Sequence, residues 1–288
     1  GMILNGMTME EAFALIDCIP DCRIPDGAPV HYGHRTLENG DIYFVSNQSD
    51  RTIEVTPEFR VTGKQPELWS AATGDIRKLP AFEQKGGATA VPMKLAPYES
   101  AFVVFFDAAG QPSDGGVEAN YPTPVQIARL DGPWTVDFLD KVRGPKAPVV
   151  FEALTDWTTN SDDLIKYYSG TAVYKSSFKL DAAPDGNHIL IDLGDFVAMA
   201  RVKVNGQDAG GLWTAPYTLD ITDLVKAGDN EVEIEVVNTW LNRLIGDLNL
   251  PEAKRTTWAA INSWKADSPL QKAGLFGPVV IESVDYAE

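Results

Sequence analysis

The stretch from Gly170 to Asn238 constrains the fold most strongly, because its apolar residues alternate with polar ones over most of its length. Val202 and Val204 flank a lysine, and the later run EVEIEVV repeats the same pattern. A period of two places apolar side chains on one face of an extended strand. Asn205 and Gly206 lie between two such runs, and both residue types accept the positive φ angles of a type I′ turn. The stretch therefore predicts antiparallel strands in a β-sandwich.

The rest of the chain predicts a second β-sandwich, which gives an all-β protein with two sandwich domains. The apolar run from Ala101 to Phe106 has no polar face and predicts a strand buried on both sides. We expect residues 1–107 to form the first domain, with a short leading helix. Residues 108–124 are rich in Gly, Pro, Ser and Asp and predict a linker. Residues 125–288 then form the second domain.

The predicted leading helix has a clear start signal. Thr8 and Glu11 have the spacing of a capping box, in which each side chain bonds the backbone amide of the other residue. The helix should end near Cys18.

Cys18 and Cys22 are the only cysteines and cannot complete a four-ligand zinc site alone. They are expected either to pack as thiols or to form a disulfide.

Composition excludes several classes of function. The 24 basic and 41 acidic residues give a formal net charge of −17, which disfavours nucleic acid and anionic membranes as partners. We expect no membrane span, because no apolar run is long enough to cross a bilayer. The first twenty residues lack the basic and apolar regions of a signal peptide. Dinucleotide, P-loop, zincin and serine-hydrolase motifs do not occur.

An ordered series of motifs between Gly170 and Asn238 resembles a known domain. The series reads YKSSF, IDLGDF, VKVNG, PYTLDIT and GDNEVEIEVVN. It is similar to the sugar-binding jelly roll of family-2 glycoside hydrolases, which has a galactose-binding-like fold. The resemblance implies that the second domain is a galactose-binding-like jelly roll and that carbohydrate is its partner.

Three motifs beyond this stretch resemble a second family. WLNRLIGD from Trp240, RTTW from Arg255 and GLFGPV from Gly274 are similar to the C-terminal part of large α-L-rhamnosidase-like glycosidases. In those enzymes a separate (β/α)8 barrel performs the chemistry, and no barrel pattern is visible in this sequence. The resemblance implies a catalytic barrel domain upstream or in another chain as a partner. It also implies a secreted or periplasmic location.

Aromatic and polar residues cluster after the second group of strands and predict a carbohydrate-binding site. Flat aromatic rings cover the apolar C–H faces of sugars, while Asn, Asp and Arg bond the hydroxyls. The candidate residues are Trp213, Tyr217, Trp240, Asn242, Arg243, Asp247, Arg255 and Trp258. The alternative is that the tryptophans, with Trp264, are core or interface anchors. Arg243 and Arg255 would then pair with Asp247 and Glu252.

Two weaker signals concern metal binding and catalysis. Asp156, Asp162 and Asp163 are the candidate ligands of a structural calcium ion, which galactose-binding-like jelly rolls often hold. The preferred alternative is a helix capped by Ser161, with the two later aspartates favouring its dipole. We therefore expect no resident metal or cofactor. His31 and His34 precede the first clear strand and are expected to bond nearby loop groups instead of forming a catalytic pair.

The sequence does not identify a catalytic pair of carboxylates, because acidic residues are abundant throughout. The leading hypothesis is a carbohydrate-binding, non-catalytic portion of a glycosyl hydrolase-family protein. One alternative is a self-sufficient glycosidase with its carboxylates in a groove between the domains. Another is a structural or adhesive module that holds protein partners through its aromatic cluster.

Overall fold

The structure is a computed structural model, and it describes residue 3 and residues 5–16, 18–182 and 184–286. Most of the regular structure is antiparallel β-sheet, and the helices of the described residues are short. The predicted all-β sandwich class is therefore confirmed. The chain divides into two compact units, Gly1–Thr123 with Tyr286–Glu288, and Pro124–Asp285.

The first unit contains eleven strands and two helices among its described residues. In chain order they are α1 (Met9–Leu15), β1 (Cys22–Arg23), β2 (Val30–Thr36), β3 (Asp41–Asn47), β4 (Ile53–Val55), β5 (Glu58–Phe59), β6 (Lys64–Ser70), β7 (Ile76–Lys78), β8 (Glu83–Lys85), β9 (Ala88–Ala90), β10 (Met93–Leu95), β11 (Ser100–Ala108) and α2 (Gly116–Asn120).

Antiparallel sheets enclose the core of the first unit. The largest has the order β2-β3-β11-β6-β7, beside a four-stranded sheet β1-β5-β9-β8 and the pair β10-β4. Strand β11 is central in the largest sheet, and Val103 and Val104, which point to opposite faces, are both fully buried. This confirms the prediction of a strand buried on both sides. In the core, the ring of Tyr43 meets the rings of Phe59 and Phe105 edge-on, and those two phenylalanine rings are tilted against each other.

The second unit contains the remaining twelve strands, two α-helices and three 3₁₀ helices of the described residues. The strands are β12 (Val125–Arg129), β13 (Trp134–Phe138), β14 (Val149–Phe151), β15 (Thr171–Leu180), β16 (His188–Asp192), β17 (Asp195–Phe196), β18 (Met199–Val204), β19 (Gln207–Leu212), β20 (Thr218–Asp220), β21 (Gly228–Val237), β22 (Leu275–Gly277) and β23 (Val280–Val284). The helices are α3 (Asp163–Lys166) and α4 (Leu241–Leu248), with 3₁₀ turns at Trp157–Thr159, Thr222–Leu224 and Glu252–Lys254.

Two sheets sandwich the core of the second unit. Their orders are β14-β13-β15-β21-β18-β19 and β12-β23-β16-β20, and β17 pairs with β22 at the side. Trp134, Val136 and Phe138 alternate with less buried residues along β13 and are themselves fully buried. Asn205 and Gly206 have φ angles of 50° and 78° and join β18 to β19, which confirms the predicted hairpin.

Two local features differ from the expectations. Helix α1 has the complete capping box, with the Thr8 amide donating to Glu11 Oε2 at 2.7 Å, but it ends at Leu15, before the predicted end near Cys18. The segment 108–124, expected to be a linker, contains helix α2 and belongs, up to Thr123, to the first unit. Its Asn120 side chain is buried and donates to the carbonyls of Ala81 and Pro92, both at 2.8 Å.

Candidate functional site

Two of the candidate residues, Trp213 and Trp240, lie just beyond one end of the six-stranded sheet of the second unit. Met199 at the start of β18 pairs with Val237 at the end of β21, and Leu212 at the end of β19 pairs with Ala200 of β18. Trp213 directly follows Leu212, and Trp240 follows Val237 by three residues. Both tryptophans therefore lie just beyond the same end of the sheet. They follow strands β21 and β19, which are separated by β18.

Helix α4 begins directly after Trp240 and holds the long loop that follows it. The Asn242 side chain donates to the carbonyl of Gln271 at 2.7 Å and accepts from the amide of Gln271 at 3.0 Å. The amide of Gly274 donates to the Asn238 side chain at 3.3 Å. These bonds return the end of the loop to the end of the sheet from which it started. We call residues 249–273 the latched loop.

Asp247 is the second point that fixes the latched loop. Its carboxylate accepts from the backbone amides of Thr256 and Thr257 at 2.8 and 2.7 Å, and from the Thr257 hydroxyl at 2.7 Å. The same carboxylate lies 2.6 Å from the guanidinium of Arg243, one helical turn earlier. The two side chains are only 7% and 3% exposed. Asp247 is therefore fully engaged within the protein.

The charge state of Asp247 follows from these partners. Burial acts to raise the pKa of its carboxyl, but hydrogen bonds from Thr257 and Thr256 and the charge of Arg243 outweigh burial and lower that pKa. The carboxylate is thus held ionised beside a buried guanidinium. Among the described residues, the Nε atom of Arg243 is buried without a hydrogen-bond partner.

The latched loop exposes large apolar side chains. Trp258 is 86% exposed and Ile261 is 87% exposed, although Trp258 directly follows the residues bonded to Asp247. Trp264 is 40% exposed and lies two residues before Ala266, whose carbonyl accepts from Asn249 at 3.2 Å. Buried polar bonds therefore hold a loop whose aromatic residues face solvent.

Trp240 lies next to a basic side chain at the end of the sheet. It is 52% exposed, and the guanidinium of Arg143 lies 4.6 Å from its ring centre in a cation–π contact. Arg143 Nε also donates to Asp140 at 2.6 Å, which leaves the terminal guanidinium nitrogens for further acceptors. Burial acts to raise the pKa of Asp140, but the amide of Val142 and the charge of Arg143 lower it overall.

The other candidates have different environments. Trp213 is 58% exposed, whereas Tyr217 is half-buried and packs on Phe196 with ring centres 4.6 Å apart. Arg255 is exposed and donates from Nε to the carbonyl of Leu250 at 3.2 Å. The ion pairs of the described residues do not include the expected one between Arg255 and Glu252.

The structure thus divides the candidates into two groups. The exposed tryptophans Trp213, Trp240 and Trp258 are available to a ligand, whereas Asn242, Arg243 and Asp247 are buried and bonded to other parts of the protein. The pairing of Arg243 with Asp247, which the alternative interpretation expected, is present. Sequence analysis missed Arg143, because it lies almost a hundred residues from Trp240 along the chain.

The calcium candidates act as caps. Asp156 Oδ1 accepts from the amides of Thr158 and Ala273, at 3.0 and 3.1 Å. Asp162 accepts from the amide of Leu164 at 2.9 Å and is the N-cap of α3, a role that was assigned to Ser161 from the sequence. Asp163 lies in the first turn of α3. In the described part of the chain, no group of three or more His, Cys, Asp or Glu residues is arranged to hold a metal ion.

His34 belongs to a separate ionic cluster in the first unit. Its Nδ1 lies 3.2 Å from Asp21 and its Nε2 lies 3.0 Å from Asp41, while its ring stacks on Tyr43 at 4.1 Å. Asp21 also bonds Arg60, and this hydrogen bond is the main reason that the pKa of Asp21 is lowered. His34 therefore joins the segment before β1 to strands β2 and β3. It is a structural hydrogen-bonding residue in this arrangement.

Two comparisons with known proteins agree with the predicted resemblance. Residues 1–84 match the family model described as alpha-L-rhamnosidase, of glycosyl hydrolase family 106. The solved structure of a rhamnosidase from Novosphingobium sp. PP1Y superposes on 96% of this chain, with a TM-score of 0.88 and 37% sequence identity. The chain is therefore a rhamnosidase-like region with a β-sandwich fold.

A curated relative is described as a different glycosidase. A putative beta-glucuronidase from Formosa agariphila is 35% identical over 191 residues, which is 56% of this chain. The chain spans only 16% of that relative and 26% of the Novosphingobium rhamnosidase. The likeness to these proteins supports a glycosyl hydrolase-family protein. No helix in the described part of the chain is long and apolar enough to cross a membrane.

Proposed function

We propose that this chain is a carbohydrate-binding, non-catalytic accessory region of a rhamnosidase-like glycoside hydrolase. The observation that carries the proposal is the latched loop, in which bonds to the buried Asp247 fix the backbone directly before Trp258, whose side chain is 86% exposed. An aromatic ring presented in this way can stack on the apolar face of a sugar.

The buried ion pair that supports the loop carries a large desolvation cost. Removing Arg243 and Asp247 from water costs several kcal/mol per ion, and only the close pairing and the threonine donors offset that cost. Such an arrangement fixes the loop conformation instead of adding much net stability. Fixed geometry is what a preformed binding surface requires.

Trp240 supplies a further stacking face of the proposed surface, and Arg143 supplies its hydrogen-bond donors. The ring of Trp240 offers a half-exposed face, and the free guanidinium nitrogens of Arg143 donate to hydroxyl or carboxylate oxygens of a sugar. The proposed ligand is therefore a glycan bound in part by stacking and in part by charge-assisted hydrogen bonds. The whole-protein activities of the two relatives, on rhamnosides and glucuronides, suggest the glycans to test first.

The accessory role also implies a catalytic domain as partner. We infer that hydrolysis is performed by a domain equivalent to the remaining three-quarters of the Novosphingobium polypeptide. A galactose-binding-like jelly roll remains our proposal for the second unit, supported by its two sheets and its motif series. A secreted or periplasmic location is proposed on the resemblance alone.

A titration of the purified chain with rhamnose-, galactose- and glucuronate-containing oligosaccharides tests the proposal. Tryptophan fluorescence reports binding, and released reducing ends report hydrolysis in the same samples. Binding without release is the expected result. No change in fluorescence and no released reducing ends would contradict the proposal. Release of reducing ends that survives repurification would make the chain a hydrolase.

If release is found, Asp192 and Glu282 are the first carboxylates to replace. They lie on neighbouring strands β16 and β23, where Leu190 pairs with Glu282 and Asp192 pairs with Val280. Both residues therefore lie on one face of the sheet, and burial raises the pKa of each carboxyl. Asp192→Asn and Glu282→Gln variants that lost turnover while remaining folded would establish this second function.

A further inference from the structure

The latched loop is positively charged in an otherwise acidic chain. Residues 249–273 contain four basic and two acidic side chains, a net charge of +2, whereas the whole chain has a net charge of −17. Trp258 lies three residues after Arg255, and Trp264 directly precedes Lys265, so the exposed rings lie beside basic groups along the loop. Salt screens charges more than about 10 Å away. A ligand on the loop therefore experiences mainly the positive charge of the loop itself.

Most of these basic side chains have no acidic partner within the protein. Lys272 lies 3.6 Å from Asp195. The ion pairs of the described residues include none made by the other three, Lys254, Arg255 and Lys265, and all three are exposed. Their charges are therefore available to a negatively charged ligand.

The six-stranded sheet of the same unit shows the opposite arrangement. Three of its basic side chains each meet an acidic side chain of a neighbouring strand at 2.7–3.2 Å, and these pairs are Lys175–Glu233, Lys203–Glu235 and Arg201–Asp208. An acidic chain thus offers partners for basic groups on its regular surface, but the latched loop leaves three of its four basic groups unpaired. This contrast points to a partner that comes from outside the chain.

Arg143 adds a directional donor to this charge. Its guanidinium lies 4.6 Å from the ring centre of Trp240, at the start of the helix that precedes the loop, and its Nε donates to Asp140 at 2.6 Å. A guanidinium that is fixed through Nε keeps both terminal nitrogens as donors. Two parallel donors match the two oxygens of a planar carboxylate.

We propose that the glycan bound by the latched loop is acidic, and that carboxylates of its uronic acid residues contact Arg143 and the unpaired side chains of Lys254, Arg255 and Lys265. This inference rests on the proposed carbohydrate-binding function and adds the chemical class of the glycan. The exposed tryptophans stack on the sugar rings, while the basic groups select for negative charge. A sulfate ester has the same sign of charge but not the planar shape, so a sulfated glycan is the alternative that the experiment must separate.

Oligogalacturonate and its methyl ester test the inference, because they share sugar and linkage and differ in charge. Isothermal titration at low salt measures both affinities. We expect the acid to bind at least about tenfold more tightly than the ester, since hydrogen bonds to charged groups contribute more than neutral ones. The difference should shrink at about 0.5 M salt, because salt screens exposed charges.

Variants locate the selectivity. Arg143→Gln should weaken binding of the acid by about tenfold and binding of the ester by less than about twofold. Lys265→Gln should weaken binding of the acid by about twofold to fivefold, as expected for an exposed charge. Since Lys265 has no ion pair among the described residues, this variant decides the question if Arg143→Gln does not fold. Arg201→Gln, at an exposed basic position paired with Asp208 on the sheet, is the matched control and should leave both affinities unchanged.

Three outcomes would overturn the inference. Equal affinities for the acid and the ester would exclude selection for charge, while glycan binding itself would stand. Tighter binding of a sulfated κ-carrageenan oligosaccharide than of oligogalacturonate would exclude recognition of the carboxylate. Equal losses in Arg201→Gln and Arg143→Gln would assign the effect to overall charge. Failure of the proposed function is different, because neither form and no neutral glycan would then bind.

Discussion

The guanidinium of Arg243 lies 2.6 Å from the carboxylate of Asp247, one turn further along helix α4, and both side chains are almost completely buried. The carboxylate also receives the backbone amides of Thr256 and Thr257. The carboxylate of Asp247 thus connects the helix to the start of a loop that has little regular structure of its own. Arg243 and Asp247, two of the predicted sugar-binding residues, are thus buried and bonded to each other.

Replacing Asp247 should destabilise the second unit and release the latched loop. Asp247→Asn leaves the buried Arg243 without its counter-charge, and breaking such a pair costs roughly 3–5 kcal/mol. The free energy of unfolding from urea titrations measures the loss. Asp195→Asn is the control, because Asp195 pairs with Lys272 at 3.6 Å with both side chains more than half exposed. It should cost less than about 1 kcal/mol, and equal losses in the two variants would contradict the buried pair.

Stability should fall in acid, and Asp247 should account for part of the loss. The folded-state pKa of Asp247 is lowered, so its contribution is present above the unfolded value of about 3.9 and is lost as the pH falls through the folded value. The pKa of Asp21 is also lowered in the folded state, so its contribution to stability is likewise lost in acid. Melting temperatures between pH 7 and pH 2 should therefore drop less steeply in Asp247→Asn than in the natural chain. Parallel curves would argue against a lowered pKa.

Gly246→Ala should destabilise the protein, although alanine normally stabilises a helix by about 1 kcal/mol relative to glycine. A Cβ atom at Gly246 would lie 2.6 Å from Cγ of Tyr167, which is closer than carbon atoms approach. Overpacking of this kind costs about 1–3 kcal/mol. Thermal unfolding measures the change. Gly33→Ala, where a Cβ meets nothing within 4 Å, is the control and should have little effect.

The two cysteines should differ in reactivity. Cys18 is exposed, whereas Cys22 is buried and both are free thiols. Burial, together with the charges of Asp21 and Glu58, raises the pKa of the Cys22 thiol to about 12, so it stays protonated and unreactive near neutral pH. Titration with Ellman's reagent at pH 7.5 should count one thiol in the native protein and two after denaturation. A count of zero in the native protein would indicate the disulfide that the sequence left open.

Trp258→Ala should weaken glycan binding without changing stability. The ring is 86% exposed, so its removal leaves no cavity, whereas loss of a stacked aromatic anchor costs about 1–3 kcal/mol of binding free energy. Isothermal titration with the best glycan from the panel measures the change. Ile76→Ala, 57% exposed in the first unit, is the control for loss of a surface apolar group. Unchanged affinity in a folded Trp258→Ala variant would remove Trp258 from the site.

Trp240→Ala should also weaken binding, and a paired variant distinguishes its two roles. Its ring contacts both solvent and the guanidinium of Arg143, so the variant removes a stacking face and frees Arg143. Arg143→Gln keeps the ring but removes the charge, and it should reduce affinity more for a glucuronate-containing glycan than for a neutral one. Affinities for both glycans, measured side by side, test this. Equal losses for the two glycans would contradict a charge-assisted contact.

Local patterns predicted most of the strands. The alternation of β21 and the hairpin at Asn205 and Gly206 depend on near neighbours, so period and turn chemistry were sufficient. The capping box of α1 was equally local. The predicted end of that helix was wrong by three residues, because nothing in the pattern fixes where the last turn frays.

The candidate site was less predictable, because its contacts join distant parts of the chain. Asn242, Arg243 and Asp247 have the residue types of a sugar site, and the sequence could not distinguish that role from buried support. The distinction depends on burial and on the path of the loop. Arg143 beside Trp240, and Gln271 bonded to Asn242, depend on the sheet that brings these segments together.

The sequence by itself determined the all-β class, the hairpin, the helix cap and the rhamnosidase-like resemblance, since each depends on short-range periodicity or on an ordered motif series. Only the tertiary structure decided which polar residues near Trp240 are buried and which aromatic rings reach solvent. The physical reason is that the cost of burying a charge depends on all of its partners. For Asp247 those partners are Arg243 on its own helix and two threonines on the latched loop.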